Sequence, residues 1–147
     1  MATFSLKKIA SVIRQLDICM MVTQSKRGSL NSRPMSNNRD VTYKGDCYFF
    51  TYEKTQKVKD IETNAGVVLN YEGSDGMYIS VSGKAKLSRN KSSFAGHWDE
   101  SLKNWFKNGI NTRGLVLIHV KGSRLRYWQK EKETCKTRWG SYNSSTI

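Results

Sequence analysis

From Met77 to Leu87 the chain alternates without a break: Ile79, Val81, Gly83, Ala85 and Leu87 fall on one side, and Ser80, Ser82, Lys84 and Lys86 on the other. Successive side chains of a strand point to opposite faces, so this pattern predicts a long β-strand buried on one face only. Such a strand needs antiparallel neighbours with one covered face, and the rest of the chain supplies them. Ile18–Thr23, Leu30–Ser36, Cys47–Thr51, Val67–Tyr71, Leu115–Val120 and Arg124–Trp128 are short and rich in β-branched, aromatic or apolar residues. Lys26-Arg27-Gly28-Ser29 provides turn chemistry that joins the first two as a hairpin, and Lys121-Gly122-Ser123 separates the last two. Gly83 marks a bend in the long strand. The only proline, Pro34, cannot donate to a ladder, which assigns its strand to a sheet edge, a bulge or a ligand rim.

Helical spacing occurs in three places. Leu6, Ile9, Ala10, Ile13 and Leu16 form an apolar stripe with Ser5 as N-cap. Thr55–Asn64 carries Val58 and Ile61 and stops at Asn64-Ala65-Gly66. Asn90–Phe106 reads as mostly helical, with Phe94, Trp98, Leu102 and Trp105 on one face and Gly109 closing the region. Between them Asn37–Asp46 is polar, with a turn at Lys44-Gly45-Asp46. The sum is a mainly β fold, a small antiparallel barrel with peripheral helices. One domain spans residues 1–129, and residues 130–147 form a basic tail, read as mobile except where Trp139 and Tyr142 meet a surface.

Composition narrows the function. With 147 residues and 37% hydrophobic content, the chain supports one core. No apolar run approaches the roughly 20 residues of a membrane span. The N-terminus carries Lys7 and Lys8 without the apolar segment of a secretory signal, so the expected location is the cytoplasm. Cys19, Cys47 and Cys135 lack metal spacing and read as free thiols, the first two buried. A net charge of +13 attracts anions, nucleic acid among them, but the basic residues are spread along the chain without a nucleic-acid signature. His97 and His119 have no metal-ligand spacing, and His119, in an apolar strand, reads as structural. No nucleophile–base pair or acid/base carboxylate pair is recognisable, so no catalytic residue is assigned.

One constellation points to a ligand. Asn31-Ser32-Arg33-Pro34-Met35 is extended, and Phe49–Lys57 runs from a strand into a helix, so Arg33, Thr51, Thr55 and Lys57 can converge where the strand ends. A phosphate monoester carries close to two charges and three acceptor oxygens, and needs fixed cations and hydroxyl or N–H donors together. The helix start adds free N–H groups and a positive dipole end. The same residues also suit a solvated charged surface with Thr55 as a plain N-cap.

Ser32-Arg33-Pro34-Met35, Tyr48-Phe49-Phe50-Thr51, Thr55-Gln56-Lys57, Val81-Ser82-Gly83-Lys84-Ala85, Trp105-Phe106 with Gly109, and Tyr127-Trp128 occur in an order that resembles one family. Over residues 6–129 the chain is similar to the pyridoxamine 5′-phosphate oxidase-like flavin split barrels, in particular the general stress protein 26 type. The resemblance implies an antiparallel split barrel, a homodimer, and FMN in the cleft between subunits. FAD or a deazaflavin is the alternative cofactor. It implies Arg33, Thr55, Gln56 and Lys57 at the phosphate, and Pro34, Met35, Phe50 and Thr51 along the ribityl chain and ring system. Trp105 of the partner chain would cover the ring, or else belong to the Phe94/Trp98/Leu102 core face. The implied function is a flavoprotein oxidoreductase, passing hydride or electrons through flavin N5 to a small-molecule redox partner. A non-catalytic flavin carrier or sensor is the alternative, followed by a basic nucleic-acid-binding barrel. Where relatives commonly carry Ser-Arg-Lys or Ser-X-Lys, this chain has Thr55-Gln56-Lys57, which implies one phosphate-binding arginine fewer. The tail has no histidine and so no C-terminal Arg-X-His substrate motif, which argues against vitamin B6 oxidation.

Overall fold

The computed structural model describes residues 5–37, 45–74, 76–130 and 137–142. Among these, the strands are β1 (Ile18–Gln24), β2 (Leu30–Ser36), β3 (Asp46–Tyr52), β4 (Gly66–Glu72), β5 (Met77–Ser88), β6 (Leu115–Lys130) and β7 (Thr137–Tyr142). They form one antiparallel sheet in the order β2-β1-β4-β5-β6-β3, with β7 also on β6. β3 pairs with the Leu115–Lys121 end of β6 and β7 with its Leu125–Lys130 end, both on the side away from β5. The sheet curls into a half-barrel, in keeping with the mainly β, antiparallel fold class expected. β2 lies at its edge, where Pro34 costs no ladder bond on the open side.

The inner face buries Met21, Phe49, Leu69, Ile79, Val81, Ile118 and Val120. Two helices cover it: α1 (Leu6–Arg14) contributes Ile9 and Ile13, and α2 (Gln56–Thr63) contributes Ile61. Ser5 caps α1 by accepting from Lys8 N–H at 3.1 Å. Its C-terminal end is closed by Asn37, whose side-chain amide donates to the carbonyls of Ile13 and Leu16, each at 2.8 Å. The stretch expected to be merely polar therefore begins with a buried cap. A second cluster of Phe50, Phe94, Leu102, Phe106, Leu115 and Leu117 lies on the other face of β3 and β6. It is covered by α3 (Lys91–His97) and a 3-10 turn at Glu100–Asn104.

Two expectations are corrected here. Residues 115–130 form one strand, not two around a turn at Lys121-Gly122-Ser123. A Cβ on Gly83 would sit 2.1 Å from the Lys121 carbonyl oxygen, and one on Gly122 would sit 2.7 Å from Val81 Cγ1. The two glycines face each other across β5 and β6, Ser123 is the extra residue of a bulge, and the ladder continues through it. The Asn90–Phe106 helix breaks at Trp98, whose extended backbone leaves Asp99 to start the next turn by accepting from Ser101 N–H at 2.8 Å. The break changes the phase of the apolar face, so Phe106 fills the second core and Trp105 is 64% exposed.

Within the segment set apart as a tail, residues 137–142 form β7. Cys19 and Cys47 are buried thiols in no disulfide among the described residues, and the Tyr71 hydroxyl donates to Cys47 Sγ at 3.8 Å, while Cys135 lies outside the described residues.

Candidate functional site

The site is built at one end of the half-barrel from the β1–β2 hairpin, the end of β3 and the start of α2. Alternation along the hairpin turns Thr23, Asn31 and Arg33 to the inner side, with Met21 opposite Arg33 and Thr23 opposite Asn31. Thr51 is the last inward residue of β3 and is buried. The chain then turns so that Thr55 becomes the N-cap of α2. Its hydroxyl donates to the Tyr52 carbonyl at 2.9 Å and makes no cap bond to the helix. The first-turn N–H groups of α2 thus receive nothing from their own cap residue, and the positive end of the helix is left for an external acceptor.

Two cations meet there. Lys57 Nζ donates to Thr51 Oγ1 at 3.0 Å. Arg33 Nη1 donates to Thr23 Oγ1 at 2.7 Å and to the Met21 carbonyl at 3.3 Å. Beneath them is Asp60, 1% exposed. Its carboxylate accepts from the Thr23 hydroxyl at 2.6 Å, the Gln56 amide at 2.8 Å and the Asn31 amide at 3.1 Å. Arg33 Nη2 lies 3.8 Å from Asp60 Oδ2. Burial alone would raise the Asp60 pKa, but the bonds from Thr23, Gln56 and Asn31 and the Arg33 charge outweigh it and hold the carboxyl below its ordinary value.

The cations are the unsettled part of this arrangement. Burial lowers the Lys57 pKa, and the nearby Arg33 charge lowers it further. Arg33 is likewise lowered by burial, with Asp60 opposing. Among the described residues Lys57 has no carboxylate partner. A half-buried ammonium beside a guanidinium, with one hydroxyl as its neutral acceptor, is suited to a ligand that brings negative charge.

Of the residues expected at the site, Arg33, Thr51 and Lys57 come together, and Thr55 lies at the helix start beside them. Gln56 is adjacent but turns its amide to Asp60. Met35 is packed in the main core, and Pro34 is exposed on the opposite face of β2 from Arg33. Phe50 is in the second core, its ring 5.8 Å from Phe94 and 5.1 Å from Trp98. Trp105 is on the surface, where its carbonyl accepts from the Tyr52 hydroxyl at 3.1 Å; its reading as a core residue is corrected. Sequence reasoning missed Thr23, Asn31 and Asp60. The available signal was Asp60 between the apolar Val58 and Ile61 of α2, one helical turn after Gln56. His119 does have a structural partner: its Nε2 is 2.8 Å from Asp46 Oδ1, and its ring stacks on Tyr48, as does that of His97. Among the described residues, no group of three or more His, Cys, Asp or Glu side chains could hold a metal ion. No described helix is long and apolar enough to cross a membrane.

Comparison with known proteins gives this geometry a context. The sequence model of a family described as pyridoxamine 5′-phosphate oxidase like matches residues 5–146. General stress protein 26 of Bacillus subtilis (strain 168) is 27% identical over 132 residues, covering 87% of this chain and 91% of that protein. A solved protein from Clostridium acetobutylicum, related to general stress protein 26, superposes with a TM-score of 0.80 at 13% identity, over 97% of this chain and 96% of the other. The general stress FMN/FAD binding protein of Xanthomonas citri superposes with a TM-score of 0.73 at 15% identity, over 90% and 93% of the two chains.

Proposed function

This chain belongs to the pyridoxamine 5′-phosphate oxidase-like family, and from that membership we propose that it is a homodimeric flavoprotein whose cofactor is FMN. The observation that carries the reading is the half-buried Lys57, without a carboxylate partner among the described residues and beside Arg33. Arg33, Lys57 and the first-turn N–H groups of α2 match the needs of a phosphate monoester: two cations and several short-range donors. The name of the Xanthomonas citri relative, an FMN/FAD binding protein, supports the same chemistry. Gln56 is neutral and donates to Asp60, so the cationic side chains of the described site are Arg33 and Lys57.

The outward face of the β1–β2 hairpin supports the homodimer. Met20 and Pro34 are opposite one another there, and Ile18 and Leu30 extend the apolar surface, Leu30 being 72% exposed. An apolar patch on a strand pair at a sheet edge is suited to cover by another chain. The exposed Trp105 is then available to cover the ring system of the cofactor in the partner. When bound, the flavin supplies hydride or single-electron chemistry at N5, and the protein's share is to bind and orient it.

Reconstitution with FMN followed by sedimentation, detected at flavin wavelengths, tests this function. The expected result is one species of twice the chain mass carrying the flavin absorbance. A colourless monomer would contradict it. Oxidation of NAD(P)H by the loaded protein with an added acceptor then separates an oxidoreductase, the reading proposed here, from a carrier that holds flavin without turnover.

A further inference from the structure

Resting on the phosphate reading of this site, we infer that Asp60 and Thr23 are positioning residues that hold Arg33 for the anion. A buried ionised carboxylate accepts hydrogen bonds and donates none. The 2.6 Å contact therefore commits the Thr23 hydroxyl hydrogen to Asp60 Oδ2. What Thr23 has left is lone pairs, and one of them receives Arg33 Nη1 at 2.7 Å. The chain of donors runs one way, from guanidinium to hydroxyl to carboxylate, and Asp60 sets its direction. A guanidinium has five N–H donors. In Arg33 only Nη1 has protein acceptors within hydrogen-bonding distance among the described residues, and Nη2 stays 3.8 Å from Asp60. The side chain is anchored by one nitrogen, and the rest of its fork is left for a ligand.

The same network explains why Asp60 does not cancel the site. Three neutral donors, from Thr23, Asn31 and Gln56, satisfy its oxygens, so Arg33 is held near the acid without closing a bidentate ion pair with it. A closed pair would consume the donors that a phosphate needs. Replacing the carboxylate by an amide removes the fixed direction, because an amide nitrogen can donate to Thr23 and turn the hydroxyl hydrogen toward Arg33.

The test compares Thr23→Val, Thr23→Ser and Asp60→Asn with the wild-type full chain, each first checked for native circular dichroism. The two readouts are the ratio of FMN to riboflavin affinity and the rise in melting temperature given by inorganic phosphate. The inference expects the ratio to fall about tenfold in Thr23→Val and Asp60→Asn with riboflavin affinity unchanged, and Thr23→Ser to keep the wild-type ratio. Phosphate protection should fall in the same two variants. Unchanged ratios and unchanged phosphate protection in the folded variants would overturn it, as would an equal loss for both flavins. A wild-type protein that phosphate protects but FMN does not bind would overturn the flavin reading alone, and loss of that protection in Thr23→Val would still support the positioning role.

Discussion

Lys57 Nζ reaches Thr51 Oγ1 at 3.0 Å, tying the first turn of α2 to the last inward residue of β3. Because Arg33 approaches from β2, a strand-end hydroxyl, a helix-start ammonium and an edge-strand guanidinium share one place. Removing either cation should remove a charge-assisted contact to phosphate worth about 1.5 to 3 kcal/mol. Lys57→Ala and Arg33→Ala are each expected to weaken FMN binding by about 10- to 150-fold. Flavin fluorescence titration measures this, and unchanged affinity in both variants would sink the assignment.

Binding should also depend on pH at both ends. Lys57 is held below the ordinary lysine value of 10.5 by burial and then by Arg33, so the protonated form that attracts phosphate is lost as pH rises through that lowered value. FMN affinity is thus expected to decline before pH 10.5 is reached. On the acid side the phosphate loses its second charge below about pH 6, and affinity declines again. Lys57→Arg should abolish the alkaline limb and keep the acid one, which a titration series in matched ionic strength will show.

Asp60 has a different signature, in stability. Its folded pKa is depressed, so its contribution is present above the unfolded carboxylate value of about 3.9 and is lost as pH falls through the folded value. Asp60→Asn should therefore be less stable than wild type at neutral pH, with the gap narrowing below about pH 4. Urea denaturation at a series of pH values checks this, and a gap independent of pH would contradict it.

The glycine pair at the bulge gives a test of the fold. Gly83→Ala places a methyl against the Lys121 backbone oxygen, which cannot move aside as a side chain could, and should cost about 1 to 3 kcal/mol. Gly96→Ala in α3 meets nothing within 4 Å and should stabilise by about 0.4 to 1 kcal/mol. Paired chemical denaturation curves would reveal the opposite signs.

Local pattern carried much of this fold. The alternation on β5 pointed to a half-buried antiparallel sheet, Pro34 restricted its strand to an edge, a bulge or a ligand rim, of which the edge is observed, and Ser5 and the Leu6/Ile9/Ile13 stripe defined α1. What escaped depends on contacts between distant segments. Gly122 looked like a turn because its reason for being glycine is Val81 and Gly83 on another strand. The exposure of Trp105 follows from a helix break at Trp98 that shifts the apolar phase by a fraction of a turn. At the site, Arg33, Thr51 and Lys57 were legible as a strand–helix junction facing an extended segment. Asp60 was not, since a single acid in an exposed-looking helix declares itself only once Thr23, Asn31 and Arg33 are seen to surround it.

The most direct test of the central claim is the calorimetric titration of the wild-type protein with FMN and with riboflavin, which differ by the phosphate alone. A phosphate held by Arg33, Lys57 and the start of α2 predicts that FMN binds at least about tenfold more tightly. Equal affinity for the two flavins, or no binding of either, would contradict it.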